Sequence, residues 1–120
     1  MKYQAKVTFV GPMASEFLRE RIAVLFQEDA PEELREFAIL HDGQHLTAPV
    51  AVGDVFEIDE VPFRVLAVGP VANENLANLG HLALKFNGET TIEMPGDICL
   101  EDKPIPPITI GTTIQIREGE

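Results

Sequence analysis

Tryptophan is absent from this chain, tyrosine occurs once, and the lone cysteine is Cys99. One cysteine excludes an internal disulfide and a cysteine-rich zinc site. Flanked by Ile98 and Leu100, it is expected to be a buried, inert thiol. Basic residues are also scarce, 9 Lys and Arg against 20 Asp and Glu, for a formal net charge of −11. Such a chain repels phosphate backbones and anionic membrane surfaces, so nucleic-acid binding is not expected. A basic protein partner would instead be drawn to it. No apolar run approaches the roughly 18 residues of a membrane span, so no direct membrane insertion is expected. The opening MKYQAKVTFV alternates polar and apolar residues and lacks the continuous apolar core of a signal peptide. A cytoplasmic protein is the expectation. The G-x-x-x-x-G-K, G-x-G-x-x-G and G-x-S-x-G patterns are missing too, which removes support for nucleotide kinases and common serine hydrolases. No cofactor is expected.

What is present reads as one ordinary globular domain, residues 1–120, with 45% hydrophobic and 24% charged residues. The chain also resembles itself. KVTFVGPMASEFL (6–18) and RVLAVGPVANENL (64–76) share seven of 13 positions: Val7/Val65, Val10/Val68, Gly11/Gly69, Pro12/Pro70, Ala14/Ala72, Glu16/Glu74 and Leu18/Leu76. The same offset of 58 aligns PVAVGDVFEI (49–58) with PITIGTTIQI (107–116). RIAVLF (21–26) is similar to HLALKF (81–86) once a short insertion is allowed. These blocks predict two duplicated halves, about 1–58 and 59–120. Each is too small to stand alone, so both are expected to share one core.

Tyr3, Ala5, Val7 and Phe9 alternate with polar residues, which predicts a half-buried strand ended by Gly11-Pro12. Helical spacing of Ala14, Phe17 and Leu18 predicts a short helix over 13–20. Ile22 to Phe26 reads as a buried strand. Asp29-Ala30-Pro31-Glu32-Glu33 has the form of a capped helix start. Phe37 to Leu40 runs into His41-Asp42-Gly43, a turn signal. Further strands are expected at 55–58 and 63–68, with 60–62 connecting them. A helix over 73–79 has Asn73 as cap and Gly80 as stop. Leu82, Leu84 and Phe86 alternate as a strand before Asn87-Gly88, a hairpin signal. Ile92–Met94, Ile98–Leu100 and Ile114–Ile116 complete the strands. Many short strands, few helices and duplicated halves predict a mainly β fold, a compact closed barrel with short helices. Closure removes the exposed edges that a small β protein must otherwise protect. Strand order is not legible at this level.

Three histidines are the candidate chemistry. His41 ends an apolar strand, a rigid support that delivers its ring to a surface. Neutral imidazole is a good nucleophile toward phosphorus, and neighbours tune its pKa. The plain alternative is a histidine that merely terminates a strand. His45 follows at a spacing that binds metal on a helix, but Gly43 and Pro49 favour a loop, so no metal site is expected. His81 opens a strand after Gly80, either hydrogen-bonded to His41 across the barrel or filling a boundary position.

EFAILHDGQHL (36–46), LAVGPVANENLANLGHLALKF (66–86) and PGD (95–97) together resemble the enzyme IIA component of the glucitol/sorbitol-specific phosphotransferase system. The resemblance extends over nearly the whole chain, and the stretch ending in LGH is its most specific part. It implies a cytoplasmic phosphocarrier. Such a protein accepts a phosphoryl group from the phosphorylated histidine-containing carrier protein and passes it to a cysteine of the permease IIB domain. The family's phosphorylated histidine follows an apolar strand, in a context such as YCFIH, and the matching residue here is His41. One departure is visible. Relatives carry a second histidine two positions on, followed by Gly, whereas this chain has His41-Asp42-Gly43-Gln44-His45. A supporting role for that second histidine would move to His45. His81 matches a family position to which no chemistry is carried over.

Transfer between two nucleophiles requires in-line geometry, donors to the phosphoryl oxygens and exclusion of water. One imidazole nitrogen must be free and the other held, by a backbone carbonyl or by His81. Backbone N–H groups around Gly43 are the expected oxyanion donors. Leu46, Ala48 and Val50 are the expected apolar docking residues. The competing readings are a non-catalytic β-barrel binding or regulatory module and a small metalloprotein using His41, His45 and His81.

Overall fold

A computed structural model describes residues 1–119. In chain order the elements are β1 (Tyr3–Val10), α1 (Ala14–Arg19), β2 (Ile22–Gln27), a 3₁₀ turn (Glu32–Leu34) and β3 (Ile39–His41). The second set is β4 (Val55–Ile58), β5 (Val61–Val68), α2 (Ala72–Leu79), β6 (Leu82–Lys85), β7 (Asp97–Leu100) and β8 (Thr113–Arg117). Period-two patterning explains the strands. Tyr3, Ala5 and Val7 face inward from β1 while Gln4 and Lys6 face solvent. Phe56 and Ile58 of β4, Phe63 and Val65 of β5, and Ile114 and Ile116 of β8 do the same.

These strands close into a barrel in the order β1-β3-β2-β6-β7-β5-β4-β8. Every edge is paired, as expected for a small β protein. Two pairs, β2/β3 and β6/β7, are parallel, and all others are antiparallel. Exchanging β1 with β5, β2 with β6, β3 with β7 and β4 with β8 leaves the neighbours and their directions unchanged. The irregularities match as well: β1 shifts register against β3 between Val7 and Phe9, and β5 against β7 between Val65 and Ala67. One apolar cluster draws on both halves, with Leu25 and Ile39 from the first, and Phe63 and Phe86 in edge-to-face contact at 5.1 Å from the second. Burying a side chain of this size contributes about 1.5–3 kcal/mol. Among the described residues no helix is long and apolar enough to cross a membrane.

Several local expectations are corrected. Asp29 starts no α-helix: only the 3₁₀ turn forms, and it has no side-chain cap. Asn73 lies inside α2 rather than capping it, and its amide instead brackets Val50, accepting from the N–H at 2.7 Å and donating to the carbonyl at 3.0 Å. That clamp buries Val50 in the core, so it is unavailable for docking. Leu46 is likewise packed against the core. β5 begins at Val61, and the turn before it is Asp59-Glu60, both at positive φ (47° and 71°). Asp59 tolerates this because its carboxylate accepts from the Thr113 N–H and hydroxyl. Asn87-Gly88 makes no hairpin, since β6 and β7 are parallel and the chain must cross over between them. Ile92–Met94 forms part of that crossing and not a strand. A hairpin signal describes a turn, and tertiary pairing decides where the next strand goes.

Candidate functional site

β3 is short, and all three of its residues are buried. Its last residue, His41, pairs with Val7 of β1 on one side and Gln27 of β2 on the other. Strands on both flanks therefore hold the Cα of His41 at the rim of the barrel, and the side chain is only 1% exposed. Such burial requires a partner for each ring nitrogen. Nε2 lies 2.7 Å from the Gly80 carbonyl oxygen, and the Gly43 N–H donates to Nδ1 at 3.0 Å. A carbonyl only accepts and an N–H only donates, which settles the tautomer: Nε2 carries the proton and Nδ1 the lone pair. Burial pushes the ring pKa below the ordinary histidine value. The Gly80 carbonyl, Asp42 and Glu28 pull upward without cancelling it.

Both backbone partners depend on glycine. Gly80 ends α2 in the left-handed region, at φ 61°. A Cβ there would lie 2.9 Å from His41 Cε1 and closer still to the Gln27 side chain. Gly43 faces the Tyr3 ring, and a Cβ on it would lie 2.6 Å from the Tyr3 hydroxyl oxygen. Tyr3 in turn meets the His41 ring edge to face at 5.9 Å. Its hydroxyl is buried and has no hydrogen-bond partner among the described residues. Burial, reinforced by Asp42, pushes the phenol up to about 12.

A cleft of about 440 Å³ opens over the ring, lined by Gln27, Glu28, Asp29 and residues 41–45. Its walls carry the carboxylates of Glu28, Asp29 and Asp42. The Asp42 side chain does not reach the ring: it accepts from the Lys6 N–H at 2.7 Å. The expected residues are thus sorted by geometry. Gly43 touches His41 directly, through its N–H. His45 is exposed on the loop and lines the same cleft, but among the described residues no hydrogen bond joins it to His41. His81 makes no bond to His41 either. It stacks on Phe26 at 4.2 Å, and its Nδ1 bonds the Leu25 carbonyl at 3.1 Å. That double attachment ties the turn at Gly80 to β2 and so holds the carbonyl on which His41 leans. Among the described residues no group of three or more His, Cys, Asp or Glu side chains is placed to hold a metal ion.

Tyr3 and the Gly80 carbonyl are the two site groups that sequence reasoning missed. Tyr3 reads as one more inward residue of an alternating strand, and Gly80 only as a helix stop. The remaining notable polar groups lie elsewhere. Asp54 is paired with Lys2 at 2.7 Å. Burial raises the Asp54 carboxyl, but the Lys2 ammonium and the Ala51 N–H outweigh it and hold the group below the usual carboxylate range. Asp97 is paired with Lys85 at 3.2 Å. Cys99 is buried, and burial raises its thiol pKa, the state of an inert sulfur.

A neutral imidazole with one nitrogen anchored and the other bearing its lone pair at a cleft is the ground state of a nitrogen nucleophile. Similarity to known proteins shows the family. The family profile described as PTS system glucitol/sorbitol-specific IIA component matches residues 2–115. Glucitol/sorbitol-specific EIIA components of Shigella flexneri and Escherichia coli are each 34% identical over 104 residues, covering 87% of this chain and 84% of theirs. The crystal structure of a PTS system IIA component from Enterococcus faecalis superposes with a TM-score of 0.82 at 29% identity, covering 95% of this chain and 98% of that one. The chain therefore belongs to the glucitol/sorbitol-specific IIA components of the phosphotransferase system, a family of phosphoryl-relay proteins.

Proposed function

We propose that His41 is the residue on which this IIA component carries its phosphoryl group. A IIA component stands between a phosphocarrier donor and a IIB acceptor. On this reading the donor is the phosphorylated histidine-containing carrier protein and the acceptor is a cysteine of the glucitol/sorbitol permease IIB domain. Both encounters take place in the cytoplasm. The observation that carries the reading is the held, neutral His41 ring at the floor of a cleft, fixed by Gly80 and Gly43. Gly43 and His81 support it, one at the ring and one behind Gly80, and His45 stands at the mouth. The acidic rim and the net charge of −11 favour partners with basic docking surfaces. The polyol need not touch this protein, so sugar choice belongs to the permease. Residues 1–120 act as one domain built from two related halves, about 1–58 and 59–120, a reading supported by the interchangeable strand order.

Intact-mass phosphotransfer tests the assignment. The protein is mixed with phosphoenolpyruvate, enzyme I and the histidine-containing carrier, with His41→Ala alongside. One acid-labile phosphoryl adduct is expected on the native protein and none on the folded variant. An adduct that persists in His41→Ala moves the site elsewhere. No adduct on the native protein, beside a working acceptor, leaves a non-catalytic binding or regulatory barrel.

A further inference from the structure

The two ring nitrogens of His41 face opposite electrostatic environments, and only one of them suits a phosphoryl group. Nε2–H points at the Gly80 carbonyl oxygen, 2.7 Å away. A phosphoryl group there would have to displace this bond and press its own oxygens against a carbonyl of like partial charge. Nδ1 faces the N–H of Gly43 at 3.0 Å, and Gly43, unlike Gly80, lines the cleft. Beside Gly43 stands the Tyr3 hydroxyl, a buried donor that no group among the described residues satisfies. Buried donors left unpaired in a resting state are costly and call for an explanation.

We propose that the phosphoryl group is carried on Nδ1 of His41, in a cradle formed by the Gly43 N–H and the Tyr3 hydroxyl. This rests on the assignment of His41 as the phosphorylated residue. The Nδ1 lone pair attacks phosphorus in line as the donor's P–N bond breaks, and the donor imidazole leaves with that electron pair. The donor ring, cationic while phosphorylated, leaves neutral. The His41 ring begins neutral and becomes cationic, keeping its Nε2 proton on the Gly80 carbonyl. No proton is gained or lost overall. The positive charge is stabilised by that carbonyl and by Asp42 and Glu28. The Gly43 N–H, released from the lone pair, turns to a phosphoryl oxygen, and the Tyr3 O–H donates to a second. Tyr3 keeps its proton throughout the neutral range, since its phenol is pushed up to about 12.

The test is nitrogen–phosphorus NMR on the full chain, labelled with ¹⁵N-histidine and phosphorylated through phosphoenolpyruvate, enzyme I and the carrier. Phosphorus coupling to the ring nitrogen that correlates with Hε1 alone is expected, the pattern of Nδ1. Coupling to the nitrogen that correlates with both ring protons identifies Nε2 and overturns the proposal while leaving His41 as the carrier. A phosphoryl group on another residue overturns the His41 assignment and this proposal together. Tyr3→Phe keeps the ring and removes only the donor. With its thermal midpoint unchanged, it is expected to lose the phosphoryl group to water about tenfold faster, the weight of one hydrogen bond. An unchanged half-life removes the hydroxyl from the cradle.

Discussion

At the scale of single residues, the protonation of His41 links chemistry to stability. The folded ring has a pKa lowered from 6.5, chiefly by burial, whereas the unfolded ring titrates near that ordinary value. Below about pH 6.5 the unfolded chain therefore binds the proton more readily than the folded one, and stability falls with falling pH. Above that pH the ring is neutral in both states and contributes no pH dependence. The native protein is thus expected to lose more of its urea midpoint between pH 7.5 and 5.5 than His41→Gln, which has no ring to protonate. Equal losses would place the acid sensitivity in other groups. The same shift keeps the lone pair of His41 available in mildly acidic conditions, where an exposed histidine would already be largely cationic. The position of His41 at a strand end was legible in the sequence because FAIL and DGQ bracket it. Of its two partners, the Gly43 N–H was expected at the site as a donor to phosphoryl oxygens, and a backbone carbonyl was one expected anchor. That the carbonyl is that of Gly80 was not legible, because a backbone atom carries no signature in the residue string.

At the scale of elements, α2 positions its last carbonyl as much as it fills the core. Its end at Gly80 is left-handed, and a side chain there is strained and collides with Gln27 and His41. Gly80→Ala is expected to cost about 1–3 kcal/mol, read as a lowered thermal midpoint. It is also expected to slow phosphoryl acceptance by about 10- to 100-fold in the fraction that folds, since the ring loses its anchor. A slowed reaction without altered stability would show that the carbonyl's position matters more than the strain. His81 belongs to the same device: stacked on Phe26 and bonded to the Leu25 carbonyl, it ties the end of α2 to β2. The helix, its stop and the strand after it were each readable from local pattern. The contact between this stop and His41, 39 residues away in sequence, was not. The same limit explains Asn87-Gly88, which bends the chain, with the Glu89 N–H donating to Asn87 Oδ1, but leads into a parallel crossing.

At the scale of the whole molecule, the core is one cluster shared by both halves. Neither half can keep its core without the other, so unfolding is expected to be a single cooperative transition. Phe63→Ala, which empties a fully buried position in β5, is expected to cost about 3–5 kcal/mol. It should destabilise both halves together. Tyr3 is the chain's only tyrosine, and no tryptophan competes with it. Its fluorescence therefore reports on β1 and the His41 site, while far-ultraviolet circular dichroism reports on the whole barrel. Coincident urea curves from the two probes, both shifted by the substitution, are the expected result. An early change confined to Tyr3 would show instead that the first half opens independently. Closure also explains how so small a β protein avoids association through its edges: every strand has two neighbours.

The amino-acid sequence by itself determined where most strands and both helices lie and placed an imidazole at a strand end. Alternation fixes which face of a strand is buried, Gly-Pro pairs fix where strands stop, and an apolar run ending in His41 presents an imidazole at a rim. These are properties of neighbours along the chain, and short-range sterics and burial suffice to set them. Tertiary structure alone decided the strand order, the two parallel pairs, the withdrawal of Val50 into the core, and the groups that meet the ring. Tyr3, Gly43 and Gly80 converge on His41 because barrel closure brings β1, the turn after β3 and the end of α2 to one rim. Periodicity states that a residue faces inward. Only packing determines what it finds there.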